Sequence, residues 1–100
     1  MEELKVVLEN GKGEVQLWLG DTKAGFMDIT LTGGRLNVYH TEVGNEFGGK
    51  GYGRLLLAKL VEYARENGLI ISPFCPYVRA QFTKNPETYA DVWFQRTTEG

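Results

Sequence analysis

Val43-Gly44-Asn45-Glu46-Phe47-Gly48-Gly49-Lys50-Gly51-Tyr52-Gly53 is the stretch on which the fold turns. Five of the ten residues from Gly44 to Gly53 are glycine. Directly after them Leu56, Leu57, Leu60, Val61 and Ala64 recur at helical spacing, with Arg54, Lys59, Glu62, Arg65 and Glu66 on the opposite side. A glycine-rich turn feeding a helix leaves several backbone N–H groups unpaired beside the positive end of the helix dipole. That arrangement attracts phosphate without needing basic side chains, and Lys50 adds a charge. The plainer alternative is a turn whose glycines serve backbone geometry alone.

Working back towards the N-terminus, the pattern is strand-like. An apolar segment at Leu4–Leu8 is separated by Asn10-Gly11-Lys12-Gly13 from an alternating one at Glu14–Leu19, with Val15, Leu17 and Leu19 on one face. After a turn at Gly20-Asp21 the alternation resumes from Ala24 to Leu31, and Gly33-Gly34 fits a two-residue hairpin loop. The returning strand, Arg35–Val43, is expected to carry Leu36, Val38, His40 and Glu42 on one face. The first part of the chain therefore reads as an antiparallel meander of four strands.

Working forward, Asn67-Gly68 marks a helix end, and Leu69-Ile70-Ile71 reads as a short buried strand stopped by Ser72-Pro73. A shorter helix is expected from Pro76 to Lys84, with Asn85-Pro86 beyond it. The apolar, aromatic tail from Tyr89 to Phe94 is expected to pack back as a last strand. The fold class is α+β (mixed α/β): a meander, a glycine loop, a helix, a strand, a short helix.

Composition bounds what such a domain does. One hundred residues suit one domain, residues 1–100, and 42% hydrophobic content with 12% aromatics suits a packed core. Eleven basic against thirteen acidic side chains leave a formal charge of −2, which argues against nucleic acid as a partner. No apolar run is long enough for a bilayer, so no membrane is expected, and no secretory signal is read at the N-terminus. One cysteine and one histidine make neither an internal disulfide nor a four-ligand zinc site. The expectation is a soluble, cytoplasmic, metal-free protein.

Two nucleotide motifs can be set aside. Gly44-x4-Gly49-Lys50 comes within one residue of a P-loop, but Gly51 stands where Ser or Thr would hold Mg²⁺, and an antiparallel meander is the wrong setting. The dinucleotide fingerprint fails because Leu56 falls on its third glycine. Instead, Gly51-Tyr52-Gly53 within GGKGYG resembles the pyrophosphate-binding signature of the GNAT N-acetyltransferases, [Q/R]-x-x-G-x-[G/A]. With His40-Thr41-Glu42-Val43, Ser72-Pro73-Phe74-Cys75-Pro76-Tyr77-Val78 and Asn85-Pro86-Glu87, it is similar to the short, single-domain, YjdJ-type predicted N-acetyltransferases over residues 36–92. Gly48 departs from the pattern, standing where many members carry Gln or Arg.

The resemblance implies a minimal GNAT fold and acetyl-CoA as co-substrate, its acetyl group passing to an amine by direct attack on the thioester. Amides from Gly48 and Gly49 through Lys50, Gly51, Tyr52 and Gly53 to Arg54 would cradle the pyrophosphate. The Thr41–Val43 backbone would pair with the pantetheine arm, and the Val43 N–H would meet the thioester carbonyl. Lys50 and Arg54 would meet the remaining phosphate, or else lie as solvated surface charge. Arg79 would reach a CoA phosphate or an acidic substrate.

Four side chains are catalytic candidates, each with a plainer reading. Cys75 would protonate the departing thiolate or carry the acetyl group, or else be a small buried apolar residue. His40, with Glu42 two residues on, would activate the amine, or else be a satisfied core histidine and a surface carboxylate. Tyr77 would be an acid, or core packing. Trp18, Phe26, Tyr63 and Trp93 read as packing residues. The resemblance implies that larger members of this family add helices near the N-terminus that wall the acceptor site; strands fill that region here, so an open acceptor site is expected. A non-catalytic acyl-CoA-binding or protein-interaction module on the same fold is the alternative.

Overall fold

The computed structural model describes residues 2–94. Strands β1 (Glu2–Glu9), β2 (Lys12–Leu19), β3 (Thr22–Thr32) and β4 (Arg35–Val43) form an antiparallel meander in chain order. After one 3₁₀ turn at Asn45–Phe47 comes helix α1 (Tyr52–Glu66), which crosses over so that β5 (Ile70–Pro73) lies parallel to β4. Helix α2 (Pro76–Lys84) and the single turn α3 (Pro86–Tyr89) follow. The expected elements are all present. The exception is the tail, which meets the edge of β5 at one bridge, Ile71 with Trp93, instead of forming a strand. Two hydrogen bonds hold it there, from the Ile71 N–H to the Val92 carbonyl (2.6 Å) and from the Phe94 N–H to the Ile71 carbonyl (2.8 Å).

Period-2 alternation gives the sheet one apolar face, and the helices pack on it. Leu56, Leu57, Leu60, Val61 and Ala64 of α1, with Val78 and Phe82 of α2, bury against Val15, Leu17, Met27, Ile29, Leu36, Val38 and Ile71. At about 1.5–3 kcal/mol for each large side chain fully buried, this one layer supplies most of the driving force for folding. No helix among the described residues is long and apolar enough to cross a membrane.

The sheet's other face bears polar and aromatic side chains joined across strands. Lys23 bonds to Glu14, Asn37 donates to Thr30 at 3.0 Å, and Tyr39 meets Thr30 at 3.1 Å. Two bulges interrupt the pairing, and the one in β4 shapes the site. Ile29 pairs with Val38 but Asp28 pairs with His40, so Tyr39 is an extra residue. The extra residue reverses the facing of everything after it. Leu36 and Val38 point into the core, as expected from alternation, but beyond the bulge Thr41 takes the place opposite buried Met27. His40 and Glu42 therefore turn outward, and the expectation that they share a face with Leu36 and Val38 is corrected.

Between β1 and β2 the backbones approach closely at Gly13. A Cβ built there would lie 1.7 Å from the Val7 carbonyl oxygen. Gly13→Ala must push the two strands apart, at about 1–3 kcal/mol, and a melting curve should show Tm lower by about 5 °C or more.

Candidate functional site

β4 and β5 run side by side only from Arg35 with Ile70 to Val38 with Pro73. The last bond between them is from the Cys75 N–H to the Val38 carbonyl, 2.9 Å. Beyond it the chain leaves for α2 while β4 continues to Val43, so Thr41–Val43 has lost its neighbour on that side. Alternate strand residues direct their N–H groups to opposite edges. The Gly44 N–H is bonded to Ala24 of β3 at 2.9 Å. The Val43 N–H consequently faces away from β3, into the gap that β5 vacates.

The glycine loop closes one end of this gap. Gly49 and Gly51 have φ of 78° and 76°, and Gly51, in the left-handed region, is the N-cap of α1. Among the described residues no backbone carbonyl accepts from the amides of Gly49, Lys50, Gly51, Tyr52 or Gly53. The Gly48 and Arg54 amides, expected to join them, are taken by the Asn45 carbonyl at 3.3 Å and the Gly51 carbonyl at 3.1 Å. The first turn of α1 carries no acidic residue, and Lys50 and Arg54 are exposed beside it. Five free donors, a helix N-terminus and two cations suit a diphosphate. The Tyr52 ring turns inward against Phe47, their centroids 6.2 Å apart, so Tyr52 offers its amide.

Gly48 differs from its neighbours. Its φ is −65°, and a Cβ there meets nothing closer than the Asn45 carbonyl oxygen at 3.5 Å. The backbone therefore accepts a longer side chain at this departure from the family signature. Gly48→Gln should leave Tm unchanged and tighten acetyl-CoA binding by about two- to ten-fold, the value of one added hydrogen bond, as read by calorimetry.

The catalytic candidates divide between the two faces of the sheet. On the helix side, Cys75 is buried, its Sγ 3.1 Å from the Thr41 Oγ1. Tyr77, in the first turn of α2, packs over α1: a Cβ on Gly53 would stand 3.4 Å from its ring and hydroxyl. Burial of the phenol raises the Tyr77 pKa above the ordinary tyrosine value, against the opposing pull of the Arg54 charge. On the open side, His40 Nε2 lies 3.2 Å from Glu42 Oε1 in an exposed pair, with the Phe26 ring edge-on to the imidazole at 6.1 Å.

Arg79 belongs to neither group. Its Nε donates to the Pro73 carbonyl at 3.3 Å, and it lines a cavity of about 610 Å³ with Arg35, Ser72, Phe74, Trp93 and Phe94. Two positions along a helix is about 200°, so with Tyr77 turned to α1, Arg79 must face away from the glycine loop. Arg35, Ser72 and the Tyr39–Phe74 stack (centroids 5.4 Å apart, interplanar angle 6°) have no counterpart among the sequence candidates. Trp93, read as packing, lines this cavity too.

The family model of the GCN5-related N-acetyl-transferases matches residues 14–92. The chain belongs to that family and carries its acetyltransferase domain. An NMR structure of a GCN5-like protein from Staphylococcus aureus is 27% identical with a TM-score of 0.67, covering 99% of this chain and 96% of its own. A GNAT-family crystal structure from Desulfovibrio desulfuricans is 28% identical, with a TM-score of 0.55, over 61% of this chain and 41% of its own. The ribosomal-protein-S18-alanine N-acetyltransferase of Escherichia coli is 18% identical with a TM-score of 0.59 and shows the fold alone. This chain covers 64% of itself and 42% of that protein, so it spans about two fifths of the length of either crystal structure. No curated protein matches the chain.

Proposed function

We propose that the chain is an acetyl-CoA-dependent N-acetyltransferase whose two partners meet through the gap beyond the β4 bulge, acetyl-CoA from the helix side and the amine from the open face. The observation that carries this reading is the run of five unpaired amides at the start of α1, beside the unpaired edge at Thr41–Val43. Bound acetyl-CoA supplies an activated acyl group, whose transfer to an amine forms a C–N bond, breaks the C–S bond and sends one amine proton to the leaving sulfur.

The chain's own groups divide that task. Amides of Gly49 to Gly53 hold the diphosphate, with Lys50 and Arg54 beside them. The Thr41–Val43 edge aligns the pantetheine arm as an added strand, and the Val43 N–H stabilises charge that develops on the carbonyl oxygen. His40, oriented by the bond from its Nε2–H to Glu42, takes the amine proton at its Nδ1 or through water. Tyr77 holds a proton at its hydroxyl that it can give to sulfur. Cys75 positions Thr41 and is not itself acylated. We further read the chain as one domain of the short YjdJ type, which the near-full-length likeness to the Staphylococcus aureus structure supports. Its cytoplasmic placement rests on the single unpaired cysteine.

The test is free-thiol release from acetyl-CoA with a panel of amines, with products and protein both weighed by mass spectrometry after rapid quenching. Amine-dependent thiol release, an acetylated amine and no acetylated protein are expected. Thiol release without amine, with acetate left on Cys75, would replace direct attack by a covalent route. No release with any amine would leave a binding module.

A further inference from the structure

The cavity around Arg79 lies at the β5 edge of the sheet, where Ser72 and Phe74 connect it to the face that carries His40, and it is furnished for an anion. Asn37 pairs with Ser72 across β4 and β5, and the Ser72 side chain points to the open face, away from that of Ile71. Ser72, only 3% exposed, lines the cavity, and its buried Oγ has no hydrogen-bond partner among the described residues. A buried hydroxyl left unpaired is uncommon and destabilising, and a ligand that accepts from it removes the penalty. Arg35 and Arg79 line the same space, and neither guanidinium has a carboxylate partner among the described residues. Arg35 is held in place by stacking on Phe94, its Cζ 3.8 Å from the ring centroid, and Arg79 by its bond to Pro73. Such fixed guanidiniums suit carboxylate or phosphate oxygens. The remaining wall is Pro73, Phe74 and Trp93, which suits an apolar body.

We propose that this cavity seats the oxyanion end of the amine acceptor, an inference that rests on the transferase reading above. Arg35, Arg79 and the Ser72 hydroxyl hold a carboxylate or phosphate. The acceptor's apolar body lies against Phe74, whose ring is stacked on Tyr39 at the bulge. From the level of Ser72, paired with Asn37, to His40 is three residues along β4, about 10 Å. The acceptor is therefore an extended amine whose nitrogen and acid group stand about that far apart, which excludes a bare α-amino acid.

The experiment titrates the full chain with ω-aminooctanoate, ω-aminooctyl phosphate and the neutral ω-aminooctanamide, following backbone amide and indole N–H signals by NMR. Parallel titrations with acetyl-CoA read the other site. One or both anionic amines should bind at least ten-fold more tightly than the amide and move the Ser72 amide and Trp93 indole signals; whichever is preferred identifies the acid group. Arg79→Gln and Arg35→Gln should each abolish that preference. Ser72→Ala supplies a control that a merely structural role would fail. It should hold or raise Tm, because it removes an unpaired hydroxyl, yet weaken the anionic amines by about three- to ten-fold. Equal binding of the amide, or signal changes elsewhere, with acetyl-CoA still bound would overturn the cavity and spare the transferase reading. Anion binding at Ser72 and Trp93 without acetyl-CoA binding would refute the acceptor role itself.

Discussion

Replacing Tyr77 by Phe is expected to lower kcat by about 10²-fold while leaving the KM for acetyl-CoA nearly unchanged, the signature of a lost proton donor. The substitution removes one oxygen and keeps the ring that packs over Gly53, so the start of α1 should not move. Burial raises the Tyr77 pKa, so the hydroxyl keeps its proton throughout the neutral range. In the parent protein kcat should fall as pH rises through that raised value, and in Tyr77→Phe this alkaline limb should be missing. The same shift acts on folding. Its contribution to stability is complete below the unfolded tyrosine pKa of about 10 and is lost as pH rises through the folded one. A kcat within two-fold of the parent, with the alkaline limb intact, would reduce Tyr77 to packing.

Gly51→Val should weaken acetyl-CoA binding by at least about 10²-fold, measured by calorimetry. Gly51 caps α1 with φ at 76°, a conformation in which a β-branched residue is strained by about 1–3 kcal/mol. There is open space where its Cβ would sit, so the effect comes from the backbone and not from a clash. Relief of the strain rotates the peptides on either side and turns their amides from the phosphate site. Losing two bonds to a charged group at about 1.5–3 kcal/mol each gives the stated loss. The core face of α1 begins at Leu55 and Leu56, so the helix should persist, and circular dichroism should differ little from the parent. Unaltered affinity would mean that the diphosphate is held elsewhere.

Much of this architecture is legible in local patterns because local patterns cause it. The 3.6-residue period of Leu56, Leu57, Leu60, Val61 and Ala64 identifies α1, and Pro76 with Asn85-Pro86 brackets α2 to the residue. The bulge at Tyr39 is another matter. Leu36, Val38 and His40 alternate without interruption, and only the pairing with β3 reveals that one residue is extra. His40 and Glu42 are thus assigned the wrong face by alternation, although their own pairing at 3.2 Å is consistent with a spacing of two in a strand. The reversal brings Thr41 to Cys75, residues thirty-four apart in sequence, at 3.1 Å.

The cavity is less legible still. Arg35 follows a hairpin turn, Ser72 lies within a short strand, and Trp93 and Phe94 lie in the tail; nothing local links them. Arg79 is the partial exception, since helical geometry already separates it from Tyr77 by about 200°. The open sheet face follows from the four-stranded meander, because among the described residues the chain reaches β4 through strands and turns alone.

The central claim is that the loop from Gly49 to Gly53 binds acetyl-CoA. Thermal unfolding of the parent protein with and without millimolar acetyl-CoA, with ATP and Mg²⁺ as control, tests it most directly. Ligand at about 100 times its Kd adds roughly 2.7 kcal/mol, which should raise Tm by about 10 °C or more in a domain of this size. That rise with acetyl-CoA, and none with ATP and Mg²⁺, is the predicted result. An unchanged Tm with acetyl-CoA, or an equal rise with both, would contradict it.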